Sequence, residues 1–360
     1  MGFERLRFVN FRNIRDGDLD VGAREVFLVG ENGQGKTNLL EAVHLLCLGS
    51  SFREKRESAL VREPSSSSGL FGAFSSPASG DMTISLTLAP GGKKELRVNG
   101  KALAERRELL SRVLCVCLVQ QDMDFVAGSP EDRRRFFDQT LVLSDLSFLD
   151  LLRGYRQVLR SRNLSLKARQ NDLLDVYDAQ IASLGLEMQA RRSSLVRDFS
   201  AVFTPLLRDV TGGAEEVEIG YRPSWMRLIT PDEVVSRLAA LRGRDSALGT
   251  STSGPHRDLF TYVLGGKDYA HFASTGQLRL CALALRVAQA RFLAERTGRR
   301  PVLLLDDVLL ELDPGRKKAF LSRFPAYEQA FFTFLPDESY LSYRTLDTLI
   351  LTVEKGNFHS

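Results

Sequence analysis

The sequence predicts an α/β protein whose largely parallel sheet is interrupted by an inserted helical domain. A strand, a glycine-rich turn and a helix open the chain. A second helix and an apolar strand with an acidic tip come after residue 270. Between them, residues 130–207 contain few Gly or Pro residues and follow helical spacing. We therefore predict three segments: 1–125, an inserted mainly helical segment 126–250, and 251–360, which completes the first.

Runs or alternations of apolar residues predict the strands, namely over 6–11, 25–29, 82–88, 94–98, 113–119, 301–307 and 329–334. Helical periodicity predicts helices over 37–48 and 274–293. Residues 65–80 are rich in Ser, Gly and Pro, and this composition predicts a surface loop.

Composition excludes several classes of protein. The 360 residues include 49 basic and 45 acidic side chains, so the net charge of +4 excludes a strongly basic tail protein. No run of 18 uncharged apolar residues exists and no apolar leader opens the chain, so we expect no membrane partner and a cytoplasmic location. The four scattered cysteines show no zinc-ligand spacing, and we expect reduced, buried thiols.

A phosphate-binding loop is predicted between the strand at 25–29 and the helix at 37–48. Its residues fit the pattern G-x-x-x-x-G-K-[ST] and are Gly30, Glu31, Asn32, Gly33, Gln34, Gly35, Lys36 and Thr37. The glycines allow the backbone N–H groups to approach phosphate oxygens. Lys36 would place its charge on the β- and γ-phosphates, and Thr37 would give its hydroxyl to Mg²⁺. The alternative is a glycine-rich turn without a ligand.

The apolar strand at 302–305 stops at two carboxylates, Asp306 and Asp307. A buried parallel strand delivers the residues at its carboxyl end to the ligand-binding edge of a sheet. We expect Asp306 to hold Mg²⁺ and Asp307 to orient or deprotonate an attacking water. A strand that simply ends in a polar turn is the alternative.

A helix begins at Ser274, Thr275, Gly276 and Gln277, shortly before the acidic strand. A helix N-terminus offers unpaired N–H donors to an anion, although a plain N-cap would also explain the serine. The segment resembles the signature motif of ABC-type ATPases. That resemblance implies that these four residues contact the γ-phosphate held by a second subunit. It also implies a D-loop containing Asp313, a switch residue at Thr333, and a catalytic glutamine at Gln120 or Gln121.

Further short motifs lie along the chain: Asn10-Phe11-Arg12-Asn13, Leu40-Glu41-Ala42, Ser51-Phe52-Arg53, Gly128-Ser129-Pro130, Arg133-Arg134, Gly254-Pro255-His256-Arg257-Asp258 and Leu304-Leu305-Asp306-Asp307-Val308. Together with the glycine-rich loop they resemble the RecF family of the SMC-like ABC ATPases. The resemblance implies a head with a mixed sheet core and N-terminal antiparallel hairpins, and a helical arm. It also adds Arg12, Asn13 and Asn38 to the nucleotide contacts. The Gln120-Gln121 pair departs from the Pro-Glu pair usual in that family.

The family resemblance also implies function and partners. It predicts an ATP- and Mg²⁺-dependent homodimer that clamps double-stranded DNA near gaps and junctions. It predicts cooperation with RecR and RecO in loading RecA, slow DNA-stimulated ATP hydrolysis that resets the dimer, and association with the nucleoid. Two other functions stay open, an ABC transporter ATPase subunit and a P-loop kinase.

The residues themselves indicate DNA binding only through one stretch. Arg153, Arg156 and Arg160 share a helix face, with Lys167 further along, and such a stripe can follow phosphates. An ordinary solvated helix face is the alternative. For His256-Arg257 both a functional role and a buried structural turn stay open.

Overall fold

The computed structural model describes residues 2–89, 93–170, 172–213, 216–308 and 314–360. It divides the chain into two compact units. The core unit comprises Met1–Gln121 and Gln289–Ser360, and the inserted unit comprises Asp122–Ala288.

The strands described are, in chain order, β1 (Gly2–Val9), β2 (Gly17–Asp20), β3 (Glu25–Val29), β4 (Ser68–Ser76), β5 (Gly80–Ala89), β6 (Lys93–Val98), β7 (Lys101–Ala102), β8 (Cys115–Leu118), β9 (Glu218–Arg222), β10 (Leu259–Leu264), β11 (Lys267–Asp268), β12 (Val302–Leu305), β13 (Gln329–Phe334), β14 (Thr348–Glu354) and β15 (Asn357–His359). The helices described are α1 (Lys36–Leu48), α2 (Arg106–Leu110), α3 (Asp124–Ala127), α4 (Pro130–Ser144), α5 (Ser147–Ala168), α6 (Leu174–Val210), α7 (Pro231–Leu248), α8 (Thr275–Thr297) and α9 (Pro314–Leu321).

A six-stranded sheet in the order β15-β14-β3-β13-β12-β8 forms the centre of the core unit. Its strands run parallel except for β15, which pairs antiparallel with β14. Every residue of β12 and β13 is buried, as expected for continuous apolar strands covered on both faces. Because β13 lies between β3 and β12, the carboxyl ends of these three strands meet at one edge of the sheet.

The second sheet of the core unit is antiparallel, in the order β2-β1-β4-β5-β6-β7. The predicted hairpin over 82–98 is confirmed as β5 and β6. The surface loop predicted over 65–80 is wrong, because Ser68–Ser76 is strand β4, with alternate residues buried. Small residues are needed in β4 because neighbouring side chains pack closely against it: a Cβ on Gly72 would lie 2.6 Å from the Phe3 ring.

The inserted unit combines helices α3–α7 and the start of α8 with a three-stranded sheet in the order β11-β10-β9. A capping box between Ser129 and Asp132 starts α4, and one between Thr230 and Glu233 starts α7. Packed aromatic rings fill the interior, and the rings of Phe137 and Phe260 stack 4.2 Å apart.

A buried ion-pair network ties the end of this unit to its helices. Arg192 on α6 donates two hydrogen bonds to Asp138, each 3.0 Å long, and one of 2.8 Å to Asp258. Asp258 leads into β10, which pairs antiparallel with β9. The predicted limits of the insertion, 126 and 250, therefore differ from the observed 122 and 288, because residues 251–288 complete the sheet of the inserted unit.

Two expectations from composition can be compared with the fold. Among the described helices, none is both long and apolar enough to cross a membrane. Cys47, Cys115, Cys117 and Cys281 are all buried, as predicted, and none of the four belongs to a disulfide.

Candidate nucleotide site

A cavity of about 220 Å³ lies in the core unit, where β3 and β12 end. Its lining residues come from the glycine-rich loop, the first turn of α1 and two outlying positions: Glu31, Asn32, Gly33, Gly35, Lys36, Thr37, Asn38, Arg53 and Asp307. The structure thus brings the predicted loop and the second acidic residue together, although 270 residues separate Lys36 from Asp306 in the chain.

The glycine-rich loop turns through conformations that favour glycine. Gly33 has φ 78° and Gly35 has φ 121°, both in the left-handed region. α1 begins immediately afterwards, so its first N–H groups face the loop. The ammonium of Lys36 is buried and donates to the carbonyl oxygens of Gly30 and Glu31, which positions its charge inside the loop.

Two carboxylates and two hydroxyls meet beneath the loop. The Thr37 hydroxyl donates a 2.9 Å hydrogen bond to Asp306, and the Thr333 hydroxyl donates one of 2.9 Å to Asp307. Thr333 also accepts the Asp307 N–H at 2.8 Å. Asp307 has φ 53°, an uncommon conformation for a residue other than glycine, and the Thr333 contacts hold it there.

Negative charge is concentrated at this point. Burial, and next the neighbouring carboxylate of Asp307, raise the pKa of Asp306 to about 6. Hydroxyl and carboxylate oxygens are the donors that Mg²⁺ prefers, and a divalent cation would relieve the repulsion. Thr37 and Asp306 therefore fit the predicted Mg²⁺ site. Within the described ranges no group of three or more His, Cys, Asp or Glu side chains offers another metal site.

Arg53, in the motif Ser51-Phe52-Arg53, is a residue of the site that the sequence pattern did not predict. Arg53 lines the cavity and donates to Asn38 and, at 2.8 Å, to Glu41. Glu41 is fully buried on α1 and also receives two hydrogen bonds from Arg12, of 2.9 and 3.0 Å. Burial alone would raise the pKa of Glu41, but the hydrogen bonds from Arg53, Arg12 and Ser51 keep that pKa below its usual range.

Arg12 and Asn13, both predicted as nucleotide contacts, differ in their relation to the glycine-rich loop. Arg12 does not line the cavity, because Glu41 and the carbonyl of Ala59 occupy its guanidinium. Asn13 contacts the loop directly: its amide donates to the carbonyl of Gly33 at 3.1 Å and accepts from Asn38 at 2.6 Å. Asn13 therefore supports the loop from outside.

The predicted glutamines follow the neighbouring strand. Gln120 and Gln121 are exposed in a helical turn after β8, which pairs with β12 so that Leu118 lies beside Leu305. The Asp306 N–H donates to the carbonyl of Leu118 at 3.0 Å. The turn that contains the two glutamines thus follows soon after the end of β8, which lies beside Asp306, but neither glutamine lines the cavity.

The predicted signature residues Ser274 to Gln277 lie in the inserted unit, at the start of α8, where Ser274 is exposed and Gln277 is half-buried. Ser274 caps the helix: its hydroxyl accepts the Gln277 N–H at 3.3 Å, and its own N–H donates to the Gln277 side chain at 2.7 Å. Thr275 and Gly276 are exposed in the first turn. Asp313, the predicted D-loop residue, lies outside the described residues.

The predicted DNA contacts lie on α5. Arg153, Arg156, Arg160 and Lys167 are all exposed there. Arg162, which belongs to the same basic stretch, is fully buried and pairs with Asp178 and Asp245, so its charge is not part of any surface.

The His256 side chain belongs to a half-buried turn of the inserted unit. Its Nδ1 lies 2.8 Å from the Tyr155 hydroxyl and its Nε2 lies 2.9 Å from the carbonyl of Ser251. Because a carbonyl can only accept, Nε2 carries the proton and Nδ1 accepts from the tyrosine. Burial lowers the pKa of His256 to about 4, so the ring is neutral at pH 7.

Comparison with known proteins decides between the three functions left open by the sequence. A family model described as the RecF/RecN/SMC N terminal domain matches residues 3–348. The DNA replication and repair protein RecF of Treponema pallidum is 39% identical over 352 residues, which cover 98% of this chain and 99% of that protein. The chain belongs to the RecF family.

Other RecF relatives agree. RecF of Leptospira interrogans is 32% identical over 336 residues, 92% of this chain and 91% of that protein. The solved structure of "the recombination mediator protein RecF-ATP in RecFOR pathway" superimposes with a TM-score of 0.89 at 28% identity, covering 99% and 97% of the two chains. An Smc head bound to the C-winged helix domain of ScpA, at 16% identity and a TM-score of 0.58, shows the shared fold alone. The RecF fold is that of an ABC-type ATPase, as predicted.

Proposed function

We propose that this chain is a DNA-repair ATPase that binds Mg·ATP in the cavity of the core unit, dimerises on ATP and clamps double-stranded DNA at gaps. The observation that carries the proposal is the set of contacts joining Thr37 to Asp306 and Asp307 to Thr333 beneath the glycine-rich loop. These contacts support Thr37 and Asp306 as a pair of metal ligands and Asp307 as the carboxylate that orients the water.

In this proposal different residues of the cavity bind the phosphates, the metal ion and the attacking water. The loop N–H groups and Lys36 bind the β- and γ-phosphates, and Arg53 adds a second positive charge to the same cavity. Thr37 and Asp306 would hold Mg²⁺, which when bound neutralises phosphate charge. Asp307, fixed by Thr333, orients the attacking water and accepts its proton.

The second subunit supplies the contact that completes the site in this proposal. The exposed start of α8, with Ser274 and Gly276, offers helix N-terminal donors to the γ-phosphate bound by the partner. ATP would then hold two copies together, and hydrolysis would release them. The exposed arginines on α5 would contact DNA phosphates without reading base sequence.

The similarity of this chain to the RecF structure described within the RecFOR pathway supports a role beside RecR and RecO. In that role the DNA-bound dimer marks the gap where RecA is loaded.

Light scattering tests the clamp. The mass of the pure protein is measured with ATP and Mg²⁺, with ADP and without nucleotide, and then with gapped DNA. We expect a dimer only with ATP, and Asp307→Asn should make that dimer long-lived because the water loses its carboxylate. A monomer in all conditions, with ATP bound, would refute both the dimerisation and the clamp.

A second measurement tests the DNA surface. Arg156→Glu combined with Arg160→Glu should weaken binding of gapped DNA by the ATP-bound dimer at least tenfold and reduce its salt dependence. Arg197→Glu combined with Arg208→Glu, on two exposed side chains of α6, is the control for the same charge change at another place. Equal binding by both variants would place the DNA elsewhere.

A further inference from the structure

A turn near the end of the sequence donates hydrogen bonds to the phosphate loop. Strands β14 and β15 are joined by Lys355 and Gly356, with φ 46° and 77°, which makes a two-residue hairpin of type I′. The Gly356 N–H donates to the backbone carbonyl of Gln34 at 2.8 Å. The Lys355 N–H donates to the Gln34 side-chain oxygen at 2.7 Å.

These contacts fix the direction of a peptide plane. In a trans peptide the C=O and the following N–H point in opposite directions. When Gly356 holds the Gln34 carbonyl on the outside of the loop, the Gly35 N–H must face the other way, toward the cavity. The Asn13 side chain fixes the preceding peptide in the same way. It donates to the Gly33 carbonyl, so the Gln34 N–H also points toward the cavity.

The two N–H groups turned in this way are available to a ligand. Within the described part of the chain, the N–H groups of Gln34 and Gly35 donate to no protein acceptor. Successive inward N–H groups form a cradle for an anion. The cradle is thus oriented before any phosphate arrives, and its orientation depends on residues outside the loop.

The hairpin packs against both the loop and the backbone at Asn13, with no room for a side chain at either contact. A Cβ on Gly356 would lie 1.9 Å from the Asn13 carbonyl oxygen, and a Cβ on Gly30 would lie 2.4 Å from that of Val353. Gly30 at the first position of the motif is therefore required by the hairpin packed against it. We propose that the Lys355–Gly356 turn is a positioning device for nucleotide binding, which sets the polyphosphate affinity of the loop by locking the Gln34–Gly35 peptide.

This inference rests on the proposed ATP site, and the experiment separates the two. Gly356→Ala is compared with Gly100→Ala, whose φ is 74° in another two-residue hairpin and whose Cβ would meet nothing within 4 Å. Both changes strain the same backbone conformation, but only the first displaces the turn from the loop. Titration calorimetry with ATP and with tripolyphosphate, which has no base or sugar, measures the affinity of the cradle.

We expect Gly356→Ala to raise the Kd for ATP and for tripolyphosphate by the same factor of ten or more, and Gly100→Ala to change neither by more than twofold. In ATP turnover, KM should rise in Gly356→Ala while kcat changes less than twofold. Equal affinities in the two glycine variants, or an ATP effect without a tripolyphosphate effect, would overturn the positioning role.

Two further proteins complete the test. If Gly356→Ala does not fold, Gln34→Ala removes only the bond to the Lys355 N–H, and its Kd for tripolyphosphate should rise at least threefold; an unchanged value would overturn the inference. If the unmodified chain binds tripolyphosphate no better than Lys36→Ala, the proposed ATP site itself fails.

Discussion

Replacing Thr333 with Val tests how Asp307, the carboxylate proposed to orient the water, is positioned. Val keeps the shape of the buried side chain but removes the hydroxyl that donates to Asp307 and accepts its N–H, at 2.9 and 2.8 Å. Losing a hydrogen bond to a charged group costs about 1.5–3 kcal/mol. If that energy holds Asp307 in place during hydrolysis, kcat should fall about 10- to 150-fold. The Kd for ATP should change little, because Thr333 does not line the cavity.

Steady-state turnover at saturating ATP and gapped DNA measures the effect, and calorimetry measures the Kd. Thr333→Ser keeps the hydroxyl and should retain most of the wild-type rate. The double variant with Asp307→Asn should be no slower than Asp307→Asn alone, because both changes act on one group. Turnover by Thr333→Val within twofold of wild type would show that the hydroxyl does not position the carboxylate.

Four other predictions follow from the structure. Lys36→Ala should abolish detectable ATP binding by calorimetry, because the phosphate charge loses its buried cation; tight binding in this variant would contradict the assigned role. Ser274→Arg should bind ATP but remain a monomer by light scattering, and a dimer would exclude the contact across subunits. Arg192→Ala should lower the free energy of unfolding of the inserted unit by about 3–5 kcal/mol, because two buried carboxylates lose their cation; urea unfolding followed by the fluorescence of Trp225, the sole tryptophan, checks this. The pKa of His256 falls from 6.5 to about 4 on folding, so the unfolded state binds the extra proton. Stability should therefore be complete above pH 6.5 and fall by up to about 3 kcal/mol as the pH drops to 4, and His256→Gln should lack this component.

The parts of the site that depend on local sequence could be predicted. The pattern from Gly30 to Thr37 needs only a preceding strand and a following helix, and the structure contains both. The acidic tip at Asp306 could be predicted because a continuous apolar strand is typical of the buried parallel sheet of an α/β fold. The residues that follow such a strand lie at the carboxyl edge of that sheet. Both signals lie within ten residues of the chemistry they predict.

Contacts between distant segments could not be predicted from the pattern. The sequence around Ser68–Ser76 is typical of a loop, yet small residues are needed there because Phe3 packs against the strand. Arg162 belongs to the same basic stretch of sequence as the exposed arginines of α5, and its partners Asp178 and Asp245 show that it is buried. The support given to the loop by Gly356 has no local signal at all, since a glycine in a hairpin turn is ordinary.

The order in which the core sheet is assembled has a consequence for synthesis on the ribosome. β3, which leads into the glycine-rich loop, pairs with β13 and β14, and Gln329 of β13 binds the backbone of Phe3, 326 residues earlier. The inserted unit, by contrast, finds its own partners within Asp122–Ala288. Domains generally fold as they emerge, and contacts between remote segments form late. In a nascent chain the inserted unit would therefore fold while β3 still lacked its partner strands, so an incomplete copy could not form the proposed ATP site.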